Sequence, residues 1–432
     1  MKNTKNIQGT LMKYVALALA IAPVATGNVV TDWNAIASTT IIKNGGKAPG
    51  GAAVWFSYAS LAVYDAVNAI TGQYRPFYYN GNASRNASID AAVAAAAHRV
   101  LVNYFPSQQT DLDAQFAASL STISPGDARA KDAGVAAGEA AAAATIAARR
   151  NDGLEANVPY SPGSGPGVWA ATPPAYLPAA TVWLGQMRPF TMITASDFRP
   201  DGPTPLASER WKRDYTLTRI LGGTSLTMRL PSESETAIFW TEHTSQQFAR
   251  VFKSLVDQYR LNVADSARMM AILWTGAADA IIGCYDAKYT YNFWRPITAY
   301  AASGANPDLS PDSTWSPLGT TPNHPEYPSA HNCFTGAVTT LIAGYFGTTK
   351  IHLVVDSLAF QDGAHTHTFD DIRDVMDEVF WARLYTGIHF YHSLEVGRDL
   401  GVTVARALLR THFGLQGSDP EIRSIKASGR EE

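Results

Sequence analysis

The stretch VADSARMMAILWTGAADAIIGCYDAKYTYNF, residues 263–293, decides the class of this fold. It runs for many turns of apolar spacing with almost no breaker and so predicts one long helix ending in an aromatic-rich segment. Outward from it the pattern repeats. Residues 54–70, VWFSYASLAVYDAVNAI, place apolar side chains at helical spacing, and residues 88–105 continue with an alanine-rich amphipathic pattern. Residues 127–150 are rich enough in alanine to be helical by propensity alone, with side chains small enough for close packing. Helical patterning resumes over 208–221 and 233–248, and the last third adds helices over 329–345, 370–386 and 394–412. Alternating β-branched strands are nearly absent. The expected fold is all-α, two helical bundles packed together.

Between residues 153 and 205 the composition turns to Pro, Gly, Ser and Thr, which predicts loops and marks the join between two halves. A second loop, dense in Pro and Asp, covers 303–328. The chain is thus divided into a signal peptide over 1–27, an N-terminal helical half over 28–152, a loop-rich connection over 153–206, a C-terminal bundle over 207–415 and a polar tail over 416–432. The signal reading rests on Lys2, Lys5 and Lys13 ahead of the apolar stretch 14–25, which is too short for a stable membrane span. It implies a secreted or periplasmic protein.

With 432 residues, 46% of them hydrophobic, the chain can bury a large core. Lys and Arg (34) nearly balance Asp and Glu (37), so no global positive field draws nucleic acid and any anion site must be local. Cys284 and Cys333, the two cysteines, lie in apolar segments and read as small buried side chains, not as a disulfide framework.

Three clusters carry chemistry. In KYTYNFWRP, residues 288–296, Lys288 and Arg295 are seven positions apart, nearly two turns, and can share a helix face; Pro296 should end the helix there. In HPEYPSAHN, residues 324–332, a Pro-rich loop delivers Ser329 as the N-cap of an apolar helix, whose free N–H groups suit an anion, with His331 adding an imidazole. In ARLYTGIHF, residues 382–390, Arg383 precedes His389 by six, and Gly387 can end the helix so that both converge. Each has a plainer reading: a solvated basic face, a simple capped helix, a packed core histidine.

Taken together, Lys-x6-Arg-Pro, Pro-Ser-x-His and Arg-x5-His resemble the signature shared by vanadium-dependent haloperoxidases and type 2 phosphatidic acid phosphatases. The likeness runs from Lys288 to about Gly401, and the YDAVNAI segment, residues 64–70, is similar to the N-terminal half of bacterial haloperoxidase-like proteins. The resemblance implies one vanadate per chain, its equatorial oxygens bound by Lys288, Arg295 and Arg383, the Ser329 hydroxyl and the Ala330 N–H. His389 would bond the metal, His331 would be the general acid/base, and Lys288 would polarise the peroxide. The implied partners are hydrogen peroxide and halide, with room for an organic acceptor and a homo-oligomer, and without nucleic acid. In the phosphatase branch His389 would instead be the nucleophile and His331 the proton donor. A non-catalytic exported oxyanion binder is the third reading.

Two positions tune these expectations. The family pattern continues His-x-x-x-Asp, with the acid orienting the histidine, but Ser393 stands at that place and weakens the phosphatase reading; Glu395 is a candidate substitute that spacing alone does not establish. His324 lies where fungal chloroperoxidases of the family carry Phe and algal bromoperoxidases carry His, which favours bromide or iodide over chloride. His365 and His367 read as a polar turn rather than a divalent-metal site, and His392 as exposed or near the pocket mouth. Asp370, Asp371, Asp374, Asp377 and Glu378 read as helix-terminal and solvent-facing charges.

Overall fold

The computed structural model describes residues 28–124, 127–225, 227–302 and 305–416, so the signal-peptide segment and the polar tail lie outside the described residues, apart from Gln416. Thirteen α-helices account for most of what is described: α1 Val29–Ser38, α2 Pro49–Thr71, α3 Ile89–Tyr104, α4 Gln109–Ser121, α5 Ala128–Ala148, α6 Glu209–Gly222, α7 Pro231–Phe239, α8 Thr244–Tyr259, α9 Val263–Tyr291, α10 Pro296–Ala301, α11 Ala330–Phe346, α12 Ile372–Tyr385 and α13 Tyr391–Thr411. One bundle gathers α2, α3 and α5; the other gathers α11, α12 and α13. The long α9 is shared by both, packing on α2 and on α11. The main apolar core therefore runs from Val30 to Phe413, with smaller clusters around Trp211 and around Phe380. By length and apolarity α9 is the one helix among the described residues that could cross a membrane, yet it lies inside the protein with 94% of its most apolar window buried.

The loops are tied to this core through buried acids and amides. Tyr64, Asp65 and Asn68 of YDAVNAI all turn to the segment that follows α2. The Asp65 carboxylate accepts from the backbone N–H groups of Phe77, Tyr78 and Tyr79, Asn68 bonds both backbone groups of Tyr74, and the Tyr64 hydroxyl donates to Arg75 O. The motif anchors a loop. Asp279, buried in α9, does the same for the loop-rich connection by accepting from Phe190 N, Thr191 N and the Thr191 hydroxyl.

Several expectations need correcting. The helix expected over 233–248 is two helices, because the chain breaks after Phe239 and leaves the Trp240 carbonyl outside a helical ladder. The helix carrying Lys288 stops at Tyr291, where Asn292 takes a left-handed conformation (φ +50°), so Arg295 sits past the end and caps α10 instead of sharing a face with Lys288. The presumed polar turn around His365 is a strand: β1 Leu353–Ser357 pairs antiparallel with β2 His365–Phe369, Val355 opposite His367. Polar alternation in HTHTF hid it.

This hairpin is held to α7 and α12 by charge. His365 faces Glu235 and Asp362, and His367 faces Glu235 (3.0 Å) and Glu378 (2.6 Å). Glu378 is therefore a hub and not a solvent-facing charge, and it also accepts from the Trp240 indole. Burial works against a charged His367 ring, but Glu378 and Glu235 override it and hold the ring above its ordinary titration range. A histidine whose pKa is raised by folding stabilises fully below about pH 6.5 and loses that contribution as pH rises through the raised value. Amide exchange in β1 and β2, corrected for its intrinsic rate, should quicken between about pH 5.5 and about pH 8.5. Equal protection at both would show that the pairs do not hold the hairpin.

α11 and α13 touch almost backbone to backbone. A Cβ on Gly401 would lie 2.1 Å from Cys333 O, and one on Gly397 would lie 2.6 Å from Ser329 O. That contact sets the Ser329 end of α11 against the start of α13. Gly401→Ala should push the helices apart and cost about 1–3 kcal/mol in chemical denaturation; an unchanged midpoint would mean the interface yields freely.

Candidate oxyanion site

The three sequence clusters meet where α9, α11 and the α12–α13 turn converge. Gly387, at φ +73°, turns the chain between α12 and α13, and a Cβ there would lie 2.2 Å from Gly222 O at the end of α6. The turn brings His389 back toward Arg295, as Arg383 approaches from α12. A cavity of about 160 Å³ opens there, lined by His324, Ala330, His331, Arg383 and His389, with Ala180 and Thr181 of the loop-rich connection on the other side. A second chamber of about 460 Å³ shares His331 and Arg383 with the first.

Arg295 is buried, and every arm of its guanidinium is used. Nε donates to His324 O (3.0 Å), Nη1 to Ile388 O (2.9 Å) and more loosely to His389 Nε2 (3.4 Å), and Nη2 to His324 Nδ1 (3.1 Å). Arg383 is held by one bond, Nη1 to Trp240 O at 3.1 Å, which is what the break between α7 and α8 provides. Its Nε is buried without a partner. A buried N–H of a cation left unpaired costs free energy and points to an acceptor that belongs beside it.

Lys288 departs from expectation. All three of its protons go to backbone carbonyls of the loop before α11: Pro325 O and Glu326 O at 2.9 Å and Pro328 O at 2.5 Å. It stands behind the cavity wall as a strut. Ser329 occupies the N-cap position, but its hydroxyl donates to Asn332 Oδ1 (2.8 Å), which leaves the first-turn N–H groups of α11 without a side-chain cap. Cys284 and Cys333 are free, buried thiols, as expected.

Glu326, in the middle of HPEYPSAHN, is the group that sequence reasoning missed. Fully buried, its carboxylate accepts from His389 Nδ1 (2.7 Å), Phe390 N (3.1 Å) and the Ser393 hydroxyl (2.5 Å). Glu395, the candidate substitute, pairs with Arg210 at the surface. A glutamate between two prolines in a motif loop was the one available signal. His392 is partly buried over Tyr327, and the described residues hold no group of three or more metal-ligating side chains.

Three cations face one carboxylate in a dry place, an excess of positive charge, and burial raises that carboxyl, Glu326, to about 7 against the pull of Ser393 and Arg295. Burial, and then Arg295, lowers Arg383 to about 9; burial lowers Arg295 to about 10 despite Glu326; burial lowers Lys288 to about 8. Burial together with these cations drives His324, His331 and His389 well below the ordinary histidine range, so all three rings are neutral near pH 7. The His389 proton is then on Nδ1, and the Nε2 lone pair faces the cavity side. Replacing Lys288 by Met should strip three carbonyls of their donor and cost about 3–5 kcal/mol in denaturant unfolding without any ligand present; a variant as stable as the wild type would refute the strut.

Residues 268–415 match the family model for the VCPO second helical-bundle domain. Vanadium chloroperoxidase of Curvularia inaequalis is 33% identical over a match covering 32% of this chain, and the match spans under a third (30%) of that relative's length. Among solved structures, the first bacterial vanadium-dependent iodoperoxidase superposes with a TM-score of 0.77 at 20% identity, over 92% of this chain and 99% of that one. A holo-type bacterial vanadium-dependent chloroperoxidase gives 0.68 at 17% identity, over 85% and 92%. Residues 268–415 thus carry the pattern of the VCPO second helical-bundle domain, within a chain that has the fold seen in these bacterial vanadium-dependent haloperoxidases.

Proposed function

We propose that this chain is a vanadium-dependent haloperoxidase, binding one vanadate and using hydrogen peroxide to oxidise halide to a hypohalous-acid equivalent. The observation that carries the reading is the unpaired Nε of Arg383 beside a neutral His389 whose Nε2 lone pair faces a cavity with excess positive charge. Those residues fit a tetrahedral oxyanion. Arg383 would hold its oxygens through the open Nε, Arg295 would add charge from its fixed place, the open N–H groups at the start of α11 would add donors, and His389 would ligate the metal, while the Ser329 hydroxyl keeps its proton on Asn332. Bound vanadate supplies a Lewis-acidic centre at which peroxide is activated toward halide. His331, which lines both chambers, would take the proton from incoming peroxide and return it to the departing oxygen. Lys288 contributes charge from behind the wall, in place of the direct contact with peroxide expected from the sequence. The basic and apolar N-terminal segment supports a secreted or periplasmic setting.

His324 lines the cavity and its Nδ1 accepts a hydrogen bond from Arg295 Nη2, so a polar, neutral ring meets the halide. Such a wall favours bromide or iodide over chloride, in keeping with the iodoperoxidase among the structural neighbours. A second reading, acid phosphatase, gains from the Glu326–His389 pair, because a carboxylate behind a histidine also suits a phosphoryl nucleophile.

Purified protein given orthovanadate, peroxide and each halide in turn should oxidise bromide and iodide faster than chloride. His389→Ala should abolish turnover, His331→Ala should lower kcat by about 10²–10⁴, and His324→Phe should shift the halide ratio toward chloride. Hydrolysis of p-nitrophenyl phosphate that vanadate only inhibits, without halide oxidation, would establish the phosphatase instead.

A further inference from the structure

Ser393 stands four residues after His389, where the family pattern carries an acid, yet His389 is not without one. Glu326 reaches the same ring nitrogen from the other side, on the loop that leads into α11 rather than on α13. We propose that Glu326 is the positioning residue of the oxyanion site, a carboxylate moved from the histidine's own helix to the serine loop, with Ser393 retained to hold it. This rests on the reading of His389 as the group that meets the oxyanion.

The geometry sets the two carboxylate oxygens apart by task. Oε1 accepts from His389 Nδ1 and Phe390 N, which fixes the ring's tautomer and its orientation; Oε2 accepts from the Ser393 hydroxyl. The arm itself cannot swing. Glu326 N donates to Phe293 O (2.9 Å), and Lys288 Nζ holds Glu326 O and the carbonyls of Pro325 and Pro328. A buried carboxylate is tolerated only where donors surround it, and three do. With the Nδ1 proton committed to Glu326, His389 offers Nε2 as a lone pair of raised donor strength, the task that second carboxylates perform behind ligating histidines in general. Glu395 cannot share this work, since it is partly exposed and bound to Arg210.

A merely structural Glu326 would make the same contacts, so the test must read His389 and not stability alone. Orthovanadate binding by titration calorimetry and the ring N–H proton resonance of His389, recorded without ligand, are measured on the full chain. Glu326→Gln should weaken orthovanadate about 10- to 100-fold and move the far-downfield Nδ1 proton upfield. Ser393→Ala, which removes one hydrogen bond of about 1 kcal/mol, should weaken binding about five-fold and serves if the glutamine variant fails to fold. The double substitution Glu326→Gln with Ser393→Asp returns an acid to the helix and should recover most of the lost affinity. The proposal is overturned if Glu326→Gln, or Ser393→Ala in its place, binds orthovanadate like the wild type, or if the double variant gains nothing over Glu326→Gln. Should wild-type protein bind no oxyanion, the functional reading fails separately. The His389 resonance then decides, and one that does not respond to Glu326→Gln overturns the positioning role too.

Discussion

The structure is organised around the cost of burying three cations close together. Lys288, Arg295 and Arg383 would each repel the others and lose water, and the fold makes this tolerable by surrounding them with fixed acceptors. The carbonyls of Pro325, Glu326 and Pro328 take Lys288, those of His324 and Ile388 take Arg295, and that of Trp240 takes Arg383. These carbonyls are available because the chain breaks helix where it does: after Phe239, before Ser329 and around Gly387. What looks like irregular backbone between helices is therefore the inner surface of the site. One carboxylate, Glu326, is admitted, leaving the cluster short of negative charge.

How much of this could be read from sequence depended on the range of the interaction. Helical periodicity is local, so α2, α3, α5, α9, α11 and α13 were legible to within a few residues. The short α1, α4 and α10 were not, and neither was the break at Trp240, whose free carbonyl is taken by the distant Arg383. The strands escaped because HTHTF alternates threonine with histidine, and its stabilising partners, Glu235 and Glu378, sit far along the chain.

The site divides in the same way. The convergence of Arg295, Arg383, His324, His331 and His389 followed from motifs, and the structure brings them together. Lys288 was placed in the right neighbourhood with the wrong neighbours, since nothing in KYTYNFWRP tells that three carbonyls will claim its protons. Glu326 was in full view within HPEYPSAHN, but its partner lies 63 positions away and spacing along the chain cannot report such a pair. Ser393 left open what orients His389, because the family pattern looks for the acid after the histidine and here it comes before it, on another loop.

The full engagement of Arg295 has a consequence for the speed of recognition. Its side chain is already fixed to His324, Ile388 and His389 before any guest arrives, so little rotamer freedom remains to be lost on docking. A host that is assembled in advance gains nothing from waiting on motion. Capture should be governed by the electric field at the mouth and by the width of the approach past His331, and release by how strongly the guest bonds the buried Arg383 Nε.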